Sequence, residues 1–360
     1  MKSRRRQHSP HPHKHHKSHQ NKPNHSHKPP QPRPEKLVAR IEDSGPPTLA
    51  KVLNRDLASL TFRLNTQGHT NGQTLPLGTF IECTPANSPL TLNVEKILPA
   101  TGAATWAAVC NFNLPTTFPP TVQKQAQSLK PYQWNKAEGR TDWRQLPIIT
   151  IDGEDARDFD DAVHAEPLKN GGHKIIVAIA DVAHYVQEGT ELDKEALLRG
   201  NSTYFPNLVI PMLPEELSNN LCSLRPNEDR PVLGVEMEID ARGTLKKHHF
   251  HRATIHSHAR LTYTQMQNAL DGKSQLQPWL AGAQGAQAAK ALLAAYQTLA
   301  QAKKERGALD LNLPELKLEL DKNGKVQTIA PRPRLTSHQI IEELMILANV
   351  AAATTLSKSG

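Results

Sequence analysis

The chain has 360 residues, 37% of them apolar, with 43 Lys and Arg against 35 Asp and Glu for a net charge of +8. That length suits two domains with a buried core, and the basic, polar N-terminus is no secretory leader. No apolar run reaches the length that spans a bilayer. Cys83, Cys110 and Cys222 are too few and too scattered for a disulfide framework, so the expected setting is a reducing cytoplasm with no membrane.

Residues 1–36 hold ten Lys or Arg and one acid, so the remaining chain is close to neutral. This His- and Pro-rich tail has almost nothing to bury and is predicted to be disordered. It either gathers RNA by phosphate attraction or simply solubilises the chain. Its eight histidines are irregularly spaced, which argues against a specific metal site. Residues 37–113 read as about five short strands: TLAKVLNR, SLTFRL, GTFIECT, LTLNVEKI and TWAAVCNF. Alternation of Leu90, Leu92 and Val94 with polar residues is the period of a half-buried strand. The expectation is a small OB-like, cold-shock-type β-barrel. Phe62, Phe80 and Trp106 are either its core or surface platforms for bases.

Residues 114–145 are rich in Pro, Gln and Lys and read as a linker. From 146 onward strands mix with helices. IIVAIADVAHYV reads as a buried strand, and VLGVEMEIDARGTLKKHHFHRATI as two strands joined at Ala241–Gly243. QAAKALLAAYQTLAQAKKERG is a predicted helix with Leu292, Leu293, Tyr296 and Leu299 on one face and Gly307 as its stop. SHQIIEELMILANVAAATTL is another, with Ile340, Ile341, Leu344, Met345 and Ala348 as its stripe and Ser337 as candidate cap. There is no internal repeat.

The segment IDGEDARDFDDAV, residues 151–163, concentrates Asp152, Glu154, Asp155, Asp158, Asp160 and Asp161 between apolar runs. A solvated acidic loop is one reading, but Phe159 between two aspartates and the flanking strands oppose it. An EF-hand is excluded, because Arg157 stands where Gly is required and Val163 where Glu is. A magnesium site for phosphodiester cleavage is the third reading, since carboxylates suit a hard cation that keeps some waters.

The segment LPIITIDGEDARDFDDAV resembles the signature of the ribonuclease II/ribonuclease R (RNB) family, in its ribonuclease R form. VAIADVAHYV, RGNSTYFPNLVIPMLPEELSNNLCSL, SHARLTYT, ERGALDLNLPE and HQIIEELMILAN follow in the family's order, so the likeness covers roughly 130–355. The resemblance implies an α+β chain whose mixed α/β catalytic domain, residues 146–360, follows the barrel. It also implies a magnesium-dependent (or manganese-dependent) 3′–5′ exoribonuclease that releases nucleoside monophosphates from single-stranded or structured RNA. By this likeness Asp152 and Asp161 are direct metal ligands, Asp158 completes the metal site and Asp160 dominates catalysis by placing metal or water. Tyr204 matches the tyrosine that packs on the last base. Tyr263 and either Glu342 or Glu343 match contacts to the 3′-terminal ribose, and Arg260 and His258 are candidates for phosphate.

The sequence departs from the family pattern in one barrel instead of two. It also lacks the arginine-bearing SPIRRYPD-like segment and a C-terminal OB-type domain. The resemblance therefore implies an N-terminal part of such an enzyme, active alone or with a separately encoded C-terminal half. A noncatalytic RNA-binding module and a DNA-acting metal nuclease are the competing functions.

Overall fold

The computed structural model describes residues 35–66, 74–274, 276–309, 313, 315–321 and 325–359. The basic tail, up to residue 34, lies outside the described residues. Five strands, β1 (Leu37–Asp43), β2 (Leu49–Val52), β3 (Phe62–Asn65), β4 (Phe80–Pro85) and β5 (Thr91–Leu98), close into a barrel in the order β1-β2-β3-β5-β4. Leu37, Ala39 and Ile41 alternate inward to meet Ile81, Cys83, Leu92 and Val94. Leu90 falls outside this pattern: it is exposed, with a positive φ of 49°, just before β5.

The fold of residues 37–113 is OB-like as expected, but its fifth strand is not the one the sequence suggested. TWAAVCNF lies in helix α1 (Ala103–Asn111), and the missing strand is β1. Ala103, Ala107 and Cys110, buried at helical spacing, are a 3.6-residue pattern, and an alanine-rich stretch favours it. The helix covers Val38 on the outside of the barrel. Phe62 is buried in the barrel, Phe80 packs under α1, and Trp106 donates its indole N–H to Glu82. Phe62 is thus core, whereas Phe80 and Trp106 are half-buried.

The stretch read as a linker is packed. It holds α2 (Pro120–Ser128) and a short strand β6 (Thr141–Asp142), and it buries Val122, Ala126, Tyr132 and Trp143. Beyond it come β7 (Ile149–Asp152), β8 (Asp161–Pro167), β9 (His173–Ala180), α3 (Glu191–Arg199) and a hairpin of β10 (Thr203–Phe205) and β11 (Leu208–Ile210). Then follow β12 (Asp229–Ile239), β13 (Leu245–His256), β14 (Ala259–Thr262), α4 (Tyr263–Leu270), α5 (Pro278–Ala281) and α6 (Ala283–Glu305). A second hairpin, β15 (Leu316–Leu320) and β16 (Val326–Pro331), precedes α7 (Thr336–Ser359).

Seven strands form one sheet in the order β14-β7-β8-β9-β12-β13-β6, parallel only at its two edges. Ile175 and Val177 of β9 face one core, with Leu292, Leu299, Ile340 and Leu344 of α6 and α7. Ile176 and Ala178 face the other, with Val122, Leu192, Leu217 and Leu224. Burial on both faces is why β9 reads as an unbroken apolar run. By length and composition α7 is apolar enough to cross a membrane, at a mean hydropathy of 1.4, which the sequence reading missed. Its stripe of Ile340, Ile341, Leu344, Leu347 and Ala351 packs against the sheet. Ser337 is not a cap. It lies inside the first turn, and its hydroxyl donates to the Tyr263 carbonyl at 2.8 Å, which ties α7 to α4.

Candidate active site

Strand β7 carries the chain through the sheet and ends at Asp152, and the chain rejoins the sheet at Asp161, the first residue of β8. Between them the acidic loop is held from two sides. Arg260, on β14 beside β7, donates from Nη2 to the carbonyls of Glu154 (3.0 Å) and Ala156 (3.1 Å). Its guanidinium lies over the Phe159 ring, 4.9 Å from the centroid. On the other side the fully buried Ser223 hydroxyl accepts from the Phe159 N–H (3.1 Å) and donates to the Arg157 carbonyl (2.8 Å). Arg230 in turn donates to the Ser223 carbonyl at 2.9 Å. Phe159 is therefore the inward anchor of the loop, which brings Asp158 and Asp160 to the same cleft.

That cleft, of about 720 Å³, is lined by Asp152, Asp158, Asp160, Asp161, Tyr204 and Arg332 among others. All four aspartates singled out in the sequence meet here. Loss of water around the carboxyl, then the charges of Asp158 and Asp152, raises Asp160 to about 6. Burial, then Asp152 and Asp160, raises Asp161 to about 6 as well. The push on Asp161 is the firmer of the two, because its Oδ2 is enclosed without a partner while Asp160 keeps open surface. Asp152 is raised by burial and by Asp158, against the pull of the Gly153 N–H, Arg260 and Arg332.

These donors fit a hard divalent cation in type and in charge: oxygen only, mutually repelling, with one orphaned buried oxygen. Among the described residues no three His, Cys, Asp or Glu side chains close into a ready-made metal cage. A magnesium ion that keeps most of its waters needs only one or two direct carboxylates.

Tyr204 stands on β10 with its ring exposed and its hydroxyl bonded to Asp158 Oδ2 at 3.1 Å. Tyr263 opens α4 and stacks on His338 with centroids 4.1 Å apart. Burial and the Asp152 and Asp161 charges push its phenol up to about 12. Glu342 and Glu343 part company on α7. Glu342 takes both oxygens to Arg334 Nη2 and lines a second cleft with Arg332 and His338. Glu343 is buried, holds Lys303 at 2.6 Å, and lines neither cleft. Arg260 holds the loop carbonyls through Nη2 alone, while its Nε has no partner among the described residues. His258, expected beside it, is half-buried with its Nδ1 unpartnered. Glu154 and Asp155 are exposed.

Two residues of the site went unread in the sequence. Ser223 sits in LCSLRP without a chemical signature. Arg332, just past β16, lines the cleft although it is far in sequence from the acidic segment.

A family model described as RNB domain matches residues 140–360, so the match begins inside the stretch that read as a linker. The chain is 44% identical to ribonuclease R of Vibrio cholerae over 268 residues, which are 72% of this chain and 32% of that protein. Its fold is similar to that of Mycoplasma genitalium RNase R in complex with double-stranded RNA, at a TM-score of 0.80 and 26% identity, over 90% of this chain and 57% of that one. The same enzyme in complex with ribose methylated single-stranded RNA matches at a TM-score of 0.78 and 27% identity, over 90% and 51%. The chain spans about a third of the length of the curated relatives it matches.

Proposed function

The chain belongs to the RNB-domain family, and from that premise we propose that its acidic cleft hydrolyses RNA from the 3′ end with magnesium or manganese and releases nucleoside 5′-monophosphates. The observation that carries this reading is the convergence of Asp152, Asp158, Asp160 and Asp161 on one cleft, with an enclosed, unpartnered oxygen on Asp161. Asp152 and Asp161 would hold the cation directly, and Asp158 and Asp160 would complete the site. A divalent cation bound there supplies an activated water and neutralises charge on the phosphate. Asp160, with open surface, orients the water. Water adds to phosphorus, the bond to the O3′ of the preceding nucleotide breaks, and that oxygen takes a proton.

Tyr204 offers an exposed ring on which any base can stack. Glu342, which lines the neighbouring cleft with Arg332 and His338, accepts from a 2′-hydroxyl and favours RNA over DNA, with Tyr263 stacked on His338. Single-stranded or structured RNA is the proposed substrate, and the three buried, unpaired cysteines suit a reducing, cytoplasmic setting. The test is cleavage of a 5′-labelled RNA with magnesium by the parent chain and by Asp160→Asn. A ladder shortening from the 3′ end, lost in the variant, is the expected result.

The closed β-barrel of β1 to β5, an architecture suited to single-stranded nucleic acid, favours a second reading, a noncatalytic RNA-binding module or a chain that works only with a separately encoded C-terminal half. Binding without cleavage selects this reading, and adding a family C-terminal half in trans separates its two forms.

A further inference from the structure

Arg332 follows β16 and stands where two clefts meet. One is the acidic cleft. The other, of about 510 Å³, is lined by Glu315, Arg334, His338 and Glu342 as well as Arg332. Its guanidinium reaches toward both ends of this junction. Nη1 lies 3.6 Å from Glu315 Oε1, while Nη2 is 4.0 Å from where a Cβ on Gly153, the residue after Asp152, would stand.

The six carboxylates that line this cleft, the four aspartates with Asp155 and Glu215, repel an incoming phosphodiester as well as one another. A fixed cation at the rim offsets that repulsion, and a planar guanidinium matches phosphate oxygens two at a time. The pair with Glu315 does not hold Arg332 back. Glu315 is 73% exposed, the separation is long, and such surface pairs contribute little. The neighbouring cleft carries groups that suit a nucleoside: the Glu342 carboxylate and the His338 ring that stacks on Tyr263.

We infer that Arg332 binds the phosphate at the scissile position, between the acidic cleft that cleaves it and the neighbouring cleft that takes the terminal nucleoside. This rests on the ribonuclease reading and adds a phosphate-binding residue to it. The residue lies outside the acidic motif, more than 160 positions along the chain from it.

The experiment measures binding of a 5′-fluorescent oligoadenylate by anisotropy, in EDTA so that no cleavage intervenes, across a salt series. Arg332→Gln is expected to weaken binding about five- to tenfold and to lower the slope of log affinity on log salt by about one. Arg332→Lys keeps the slope, and Glu315→Gln, which frees the guanidinium, binds as tightly as the parent or more so. Thermal unfolding checks that each variant is folded. Binding by the parent with an unchanged slope in Arg332→Gln overturns the inference and leaves the ribonuclease reading standing. No RNA binding by the parent overturns both.

Discussion

The Tyr204 hydroxyl donates to Asp158 Oδ2 across 3.1 Å, which ties an exposed ring to one of the carboxylates of the cleft. Ring and hydroxyl can be separated by mutation. Tyr204→Ala removes the stacking surface and is expected to weaken oligoadenylate binding in EDTA by about 10- to 100-fold, the worth of one stacked base. Tyr204→Phe keeps the ring and is expected to bind within about threefold of the parent. Equal losses in both variants would mean that the hydroxyl, not the ring, carries the contact.

The cleft is built at a cost to stability. Asp161 is charged in an enclosed position beside Asp152 and Asp160, with an oxygen that no protein group meets. Asp161→Asn removes a repelling charge, so it should raise the melting temperature in EDTA by a few degrees, the effect of about 1 kcal/mol. The parent should gain stability on adding manganese, by mass action, and the variant should not. A variant that melts lower in EDTA would show that the carboxylate is not under strain.

Ser223 holds the acidic loop by its backbone and touches no carboxylate. Ser223→Ala leaves the Phe159 N–H and the Arg157 carbonyl without their partner inside the fold. The expected loss is roughly 1–3 kcal/mol, read by urea unfolding. Manganese affinity, followed by electron paramagnetic resonance, should fall with it because Asp158 and Asp160 flank the loosened anchor. Unchanged manganese affinity in a destabilised variant would separate loop support from metal binding.

These residues mark how far the sequence could be read. The acidic segment was legible because repelling charges beside apolar strands need a chemical reason, and the family signature covers the same positions. The β12–β13 hairpin was legible from two long strand patterns around Ala241–Gly243. Residues 105–112 were misread because Trp, Val and Cys are common in strands, and a nine-residue helix makes only about two and a half turns. The hold of Arg260 on the loop went unread, since backbone carbonyls as partners leave no trace in sequence. The separate surroundings of Glu342 and Glu343 were not legible, because they depend on the packing of α7 on α6, where Lys303 pairs with Glu343.

Gly234 tests the packing of the sheet that bears the site. A Cβ there would come within 2.1 Å of Trp143 Cζ3, and Trp143 is buried between β12 and the segment before β7. Trp143 shares its core with Tyr132 and Val122. Gly234→Ala should cost roughly 1–3 kcal/mol, as overpacking does, and lower the melting temperature accordingly. Gly234→Ala combined with Trp143→Leu should recover part of that loss. A silent Gly234→Ala would mean that the ring does not lie on this strand.

Glu82 gives the barrel a pH dependence of known sign. Its side chain is 2% exposed and meets Lys36 at 2.7 Å, Lys96 at 2.9 Å and the Trp106 indole N–H. Burial alone would raise the carboxyl, but hydrogen bonds from Lys36, Trp106 and Lys96 win and hold it down to about 2, from an ordinary value of 4.5. A depressed carboxyl stabilises the fold above its unfolded value, and that contribution is lost as pH falls from about 4.5 toward 2. Both lysines are half exposed, so water screens the pairs and the contribution is on the order of 1–3 kcal/mol. Glu82→Gln should therefore unfold at lower urea than the parent at pH 7, with the difference shrinking by pH 3. A protonated Glu82 and the amide that replaces it both accept from the Trp106 indole N–H, so that contact does not contribute to the difference. A difference that stays constant from pH 7 to pH 3 would show that packing, not charge, makes Glu82 matter.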